Sequence, residues 1–78
     1  MNRIMEQNEF QLQAYSFQEL AIAYAPALSV GSAVNRLSRW IRVSNSLREE
    51  LYTLGWMPGN KQFTPMQVRT IVSYLGEP

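Results

Sequence analysis

The chain has 78 residues, a net charge of +1, seven basic and six acidic side chains, and neither cysteine nor histidine. One small domain is the most this length can build, and disulfides and thiolate metal sites are excluded outright. The hydrophobic share of 46% is that of a globular protein and argues against wholesale disorder.

Residues 1–9 are polar and show no periodicity, which predicts a mobile tail preceding a single helical domain over residues 10–78. They lack the apolar stretch of a signal peptide. No apolar run approaches the roughly 20 residues that span a bilayer. The expectation is a cytoplasmic protein with no membrane partner.

Phe10-Gln11-Leu12-Gln13-Ala14 alternates apolar and polar residues, the period of a short half-buried strand. Ser16 and Glu19 then spell a capping box, so a first helix begins there, with Tyr15 positioned to staple against Leu20. Phe17, Leu20, Ala21 and Tyr24 continue at helical spacing until Pro26 forces an end near Tyr24 or Ala25.

A second helix follows Ser29 and runs to about Val43. Val30, Ala33, Val34, Leu37, Trp40 and Ile41 form one apolar stripe, while Arg36, Arg39 and Arg42 fan across the far side among Ser32 and Asn35. Ser46 and Glu49 spell a second capping box, and Leu47, Leu51 and Leu54 carry a third helix. Gly55 is placed to end it in the left-handed region, with Trp56 packing back on Leu51.

Pro58-Gly59 has the composition of a type II turn. Trp56-Met57 and Gln62-Phe63 flank it as arms of a small hairpin or wing-like loop, either of which could pair with the strand near Leu12. A fourth helix starts with Thr64 as cap, Pro65 in first position and Gln67 closing a capping box; it carries Val68, Ile71, Val72 and Leu75 and ends at Gly76. The fold expected is mainly α: a compact four-helix, helix-turn-helix-like domain with a short β-pairing between residues near 10–14 and 61–63. Its core should contain Leu37, Trp40, Ile41, Leu51, Val68, Ile71 and Leu75.

The chemistry available is narrow. Without histidine and cysteine, the commonest general base, nucleophile and transition-metal ligands are missing. Glu49 and Glu50 are neighbours, but adjacent helical residues point about 100° apart and do not make a carboxylate dyad. Glu19 has a capping duty, and the four dispersed glycines make no phosphate loop. Lys61 reads as a solvated loop charge. No enzyme, cofactor or metal site is expected.

The middle of the chain is locally basic. Leu20 to Arg48 contains Arg36, Arg39, Arg42 and Arg48 and no acid. A face of this kind can simply keep a small protein soluble. It can also bind phosphate, as the second helix of a helix-turn-helix does. Arginine forks onto phosphate or guanine, and the segment from Glu19 to Tyr24 has the apolar spacing of a supporting first helix. The expectation is a non-enzymatic DNA-binding or accessory regulatory protein acting on double-stranded DNA, with Arg36, Arg39 and Arg42 on phosphates and Asn35 and Ser32 nearer the bases. The alternative is a protein-interaction module that uses exposed aromatic residues.

A resemblance accompanies these readings. Ser16-x-x-Glu19-Leu20-Ala21-x-x-Tyr24-x-Pro26, the pair Leu37-x-x-Trp40-Ile41, Leu54-Gly55-Trp56, and above all Phe63-Thr64-Pro65-x-Gln67-Val68-x-x-Ile71-x-x-Tyr74-Leu75-Gly76-Glu77-Pro78 resemble the bacterial family called domain of unknown function 4248. The likeness covers about residues 10–78. It implies a small bacterial protein complete as a single domain, and it carries no activity with it. A looser likeness links the chain to helix-turn-helix regulators of the excisionase type. There the chain departs: Ala21 to Val34 is a longer separation than the compact motif has, and Ala25-Pro26 stands where a turn glycine is usual. The turn between the two helices is therefore expected to be longer.

Overall fold

A computed structural model of the chain describes residues 10–78; the expected tail at residues 1–9 lies outside them. In chain order the elements are β1 (Tyr15–Ser16), α1 (Phe17–Tyr24), α2 (Val30–Val43), α3 (Asn45–Thr53), β2 (Gln62–Phe63) and α4 (Pro65–Leu75). The fold is thus mainly helical with one short antiparallel ladder. Tyr15 lies opposite Phe63 and Ser16 opposite Gln62.

Local chemistry sets most of the boundaries. The Ser16 hydroxyl accepts the Glu19 N–H at 3.0 Å while the Glu19 carboxylate accepts the Ser16 N–H at 2.9 Å, closing the first capping box. Ahead of Pro26, Ala25 leaves the helical region with φ −139° and ψ 64°, and α1 stops. Ser29 caps α2 through Ser32 N–H at 3.2 Å. The connection from Ala25 to Ser29 is the longer turn that the sequence requires. At α4, Thr64 and Gln67 close the second box, with Pro65 inside the first turn.

Two boundaries differ from the sequence reading. The first concerns α3, which is capped by Ser44 and not by Ser46. The Ser44 hydroxyl faces Leu47 N–H at 3.4 Å and its carbonyl takes Arg48 N–H at 2.9 Å, so Ser46 already lies inside the first turn. No Ser46–Glu49 box forms. Ser44 ends α2 and starts α3 at once, and this single-residue corner leaves no room for a later cap.

The second difference is the strand. The ladder falls at Tyr15–Ser16, and the alternating segment 10–14 is irregular, with Leu12 50% exposed. Local bonds compete with the ladder there. The Tyr15 hydroxyl donates to the Gln11 carbonyl at 2.8 Å, and the Phe10 and Tyr15 rings stack at 5.3 Å, so the segment folds back on Tyr15. Its partner is as expected, since Gln62–Phe63 forms the other strand. The Trp56-Met57 arm does not pair, because Trp56 N–H is bonded to the Leu51 carbonyl at 2.9 Å.

That last bond belongs to the end of α3. Trp56 N–H reaches Leu51, Gly55 N–H reaches Tyr52 at 2.9 Å, and Gly55 sits at φ 90°, together a Schellman motif. Met57 to Asn60 closes the next turn, with Asn60 N–H on the Met57 carbonyl at 3.0 Å and Gly59 at φ 95°, the positive φ that a type II turn demands.

The core runs through every helix. Leu20, Leu37, Leu47, Leu51, Phe63, Val68 and Ile71 are its largest fully buried side chains, joined by Ile41 and Trp56. Trp40 and Leu75, expected inside, are half-buried against it. Trp40 meets Tyr24 edge to face at 6.0 Å, a favoured aromatic geometry. Gln67 is the one buried polar side chain of the described residues. Its amide is satisfied at both ends: its oxygen accepts Thr64 N–H at 2.9 Å, and its nitrogen donates to the Leu54 carbonyl at 3.0 Å. It therefore ties the start of α4 to the end of α3.

Candidate nucleic-acid interface

α2 is the element that carries the candidate residues. Ala33, Leu37 and Ile41 are buried beneath it, at the spacing of one helical stripe. The opposite side follows from the same period: Ser32, Asn35, Arg36, Arg39 and Arg42 are all exposed. The start of the helix is open as well, since Val30 and Gly31 are exposed and a methyl group added at Gly31 would meet no atom within 4 Å.

The five residues do not form one patch. Ser32, Asn35, Arg36 and Arg39 share a concave surface of about 400 Å³ with Leu28 and Trp40. The Arg36 guanidinium lies 6.0 Å from the centre of the Trp40 ring, a cation–π distance that limits its swing. Arg42 is on the other flank. It lines a separate cleft of about 460 Å³ with Ser38, Ile41, Phe17, Tyr52, Trp56 and Arg48. A mixed groove of about 560 Å³ adjoins that cleft between α2 and the turn, lined by Gln18, Val34, Ser38, Asn60 and Lys61 among others. α2 is therefore a ridge with a hollow on each side.

Arg48 joins the basic set, although sequence reasoning left it out of the site. Its guanidinium donates to the Arg42 carbonyl and, at 2.7 Å, to the Asn45 side chain, which fixes it across the corner between α2 and α3. Only the one-residue corner at Ser44 brings it there, and no motif announces that corner. Two acids have partners elsewhere. Glu19 is engaged in its cap, and Glu50 accepts the hydroxyl of Tyr74.

Two tyrosines are perturbed, both outside the arginine face. Burial, with Glu77 nearby, pushes the Tyr24 phenol up to about 12, and its hydroxyl donates to the Gly76 carbonyl. The hydrogen bond to Glu50 raises Tyr74 above the ordinary phenol value. Both bonds hold the end of α4 to its neighbours.

Among the described residues no three acidic side chains come together as a metal site would need. No helix among them is long and apolar enough to cross a membrane. In comparisons with known proteins, the family model described as Domain of unknown function (DUF4248) matches residues 11–78. No curated protein and no solved structure matches the chain.

Proposed function

We propose that this chain, which belongs to the DUF4248 family, is a non-enzymatic DNA-binding module of the bacterial cytoplasm that lays α2 on duplex DNA. The observation that carries the reading is the outward face of α2. Ser32, Asn35, Arg36 and Arg39 share one open hollow there, in a stretch of chain without an acid. α1 packs behind α2 as the supporting helix of a helix-turn-helix does. In this arrangement Arg36, Arg39 and Arg42 contact phosphates. Asn35 and Ser32, nearer the start of the helix, reach base edges.

The test is a titration of labelled duplexes at several salt concentrations. Each phosphate contact contributes about −0.9 to the slope of log affinity against log salt. Replacing Arg36, Arg39 and Arg42 together by alanine should flatten the slope by up to about 2.7 and weaken specific and random duplexes alike. Asn35→Ala and Ser32→Ala should alter sequence preference with little change in slope. Absence of binding by the parent at low salt would exclude the reading.

A protein-interaction module is the second reading. Its support is that Tyr52, Leu54 and Met57 remain exposed around the end of α3, where an apolar partner could cover them. An interface of that kind would be far less sensitive to salt.

A further inference from the structure

The cleft beside Arg42 has features that contact with a DNA backbone does not require. Its wall is aromatic. Tyr52 stacks on Trp56 at 6.4 Å and 11°, Trp56 on Phe63 at 5.9 Å and 22°, and Phe63 on Phe17 at 5.2 Å and 28°. These four rings make a near-parallel column, and three of them, Phe17, Tyr52 and Trp56, line the cleft.

One residue of that wall carries an unused donor. Trp56 is 5% exposed, and its indole Nε1–H is buried with no hydrogen-bond acceptor among the described residues. Leaving such a group unmatched is costly, so a fold that buries it invites an acceptor from outside.

The charge at the rim is positive. Arg42 is exposed there, and Arg48 is fixed beside it by its bonds to the Arg42 carbonyl and Asn45. A guanidinium has five N–H donors, so those two bonds leave Arg48 others to give. The volume of about 460 Å³ is in the range of small-molecule sites, roughly 300–1,000 Å³.

We infer that this cleft binds a small planar aromatic anion, its ring against the Phe17–Tyr52–Trp56 wall, its acidic group on Arg42 and Arg48, and an acceptor atom on the Trp56 indole N–H. A carboxylate and a phosphate meet the same donors, so either can supply the acidic group. The site is independent of the DNA reading, although both engage Arg42.

The probes are benzoate, phenyl phosphate and the uncharged benzamide, titrated into the full chain without DNA. The readout is the pair of indole N–H resonances of Trp40 and Trp56, assigned with Trp40→Phe. One or both anions should shift the Trp56 resonance saturably, and the tighter of the two identifies the acidic group. Benzamide should bind more weakly by roughly tenfold, since it lacks the charge-assisted bonds. Arg42→Gln, at an exposed position, should weaken the anion by a similar factor. Trp56→Phe, which keeps a ring and deletes the donor, should weaken it when followed by calorimetry. The inference is overturned if neither anion shifts Trp56 saturably, if benzamide binds as tightly as benzoate, or if Arg42→Gln binds like the parent. Because no DNA is present, none of these results bears on the duplex titration.

Discussion

The α3–β2–α4 half and the outward face of α2 use their polar residues in opposite ways. In the first, polar side chains are committed to the fold: Thr64 and Gln67 cap one another, Gln67 reaches back to Leu54, and Tyr74 is bound to Glu50. On α2 the apolar stripe does the structural work, and Ser32, Asn35, Arg36, Arg39 and Arg42 stand exposed around it. Stability is thus vested in one set of residues and surface chemistry in another. Changes in the first set should destabilise the chain, and changes in the second should leave the fold alone.

The largest effect is expected under α2 itself. Leu37 is 1% exposed, and Leu37→Ala should cost about 2–5 kcal/mol through lost burial and the cavity left behind. In a domain this small that is a large part of the total, and a thermal melt will register it. Thr64→Ala should cost about 0.5–2 kcal/mol, because it removes the oxygen that accepts Gln67 N–H at the start of α4. A denaturant titration resolves this. The triple replacement of Arg36, Arg39 and Arg42 by alanine should shift stability by no more than about 0.5 kcal/mol per site, as surface changes do. A triple variant that melts like Leu37→Ala would erase the division between the two sets.

Alkaline pH sharpens the same division. Tyr24 is raised from 10.0 to about 12 in the folded chain. The unfolded chain releases that proton first, so the stabilising contribution is complete below pH 10 and is lost as pH rises through about 12. Phenolate absorbance followed alongside unfolding should show the loss, and Tyr24→Phe should remove this part of it.

What the sequence discloses follows the range of the interactions. Both capping boxes at Ser16 and Thr64, the Schellman end at Gly55 and the Pro58-Gly59 turn are patterns within a few residues, and each is where the spacing puts it. The α3 cap misleads because Ser44 and Ser46 are both good caps; Glu49 favours Ser46, and the corner geometry decides for Ser44. The bond from Gln67 to Leu54 and the stacking of Phe17, Phe63, Trp56 and Tyr52 join distant segments, and nothing in their spacing marks them. The arginine face was legible from helical period alone. Its division by the ridge of α2 was not, since that depends on where Leu28, Tyr52 and the turn at Gly59 come to rest.

The most direct measurement compares arginines of equal charge in different places. Arg69 is exposed on α4, away from the candidate face in sequence. Duplex binding is measured across a range of salt for the parent, for Arg36→Ala with Arg39→Ala, and for Arg69→Ala. If α2 lies on DNA, the double variant should lose about 1.8 from the salt slope, while Arg69→Ala keeps the parent slope. Equal losses in the two variants would mean that net charge alone draws the chain to DNA, and an unchanged slope in the double variant would mean that α2 does not touch it.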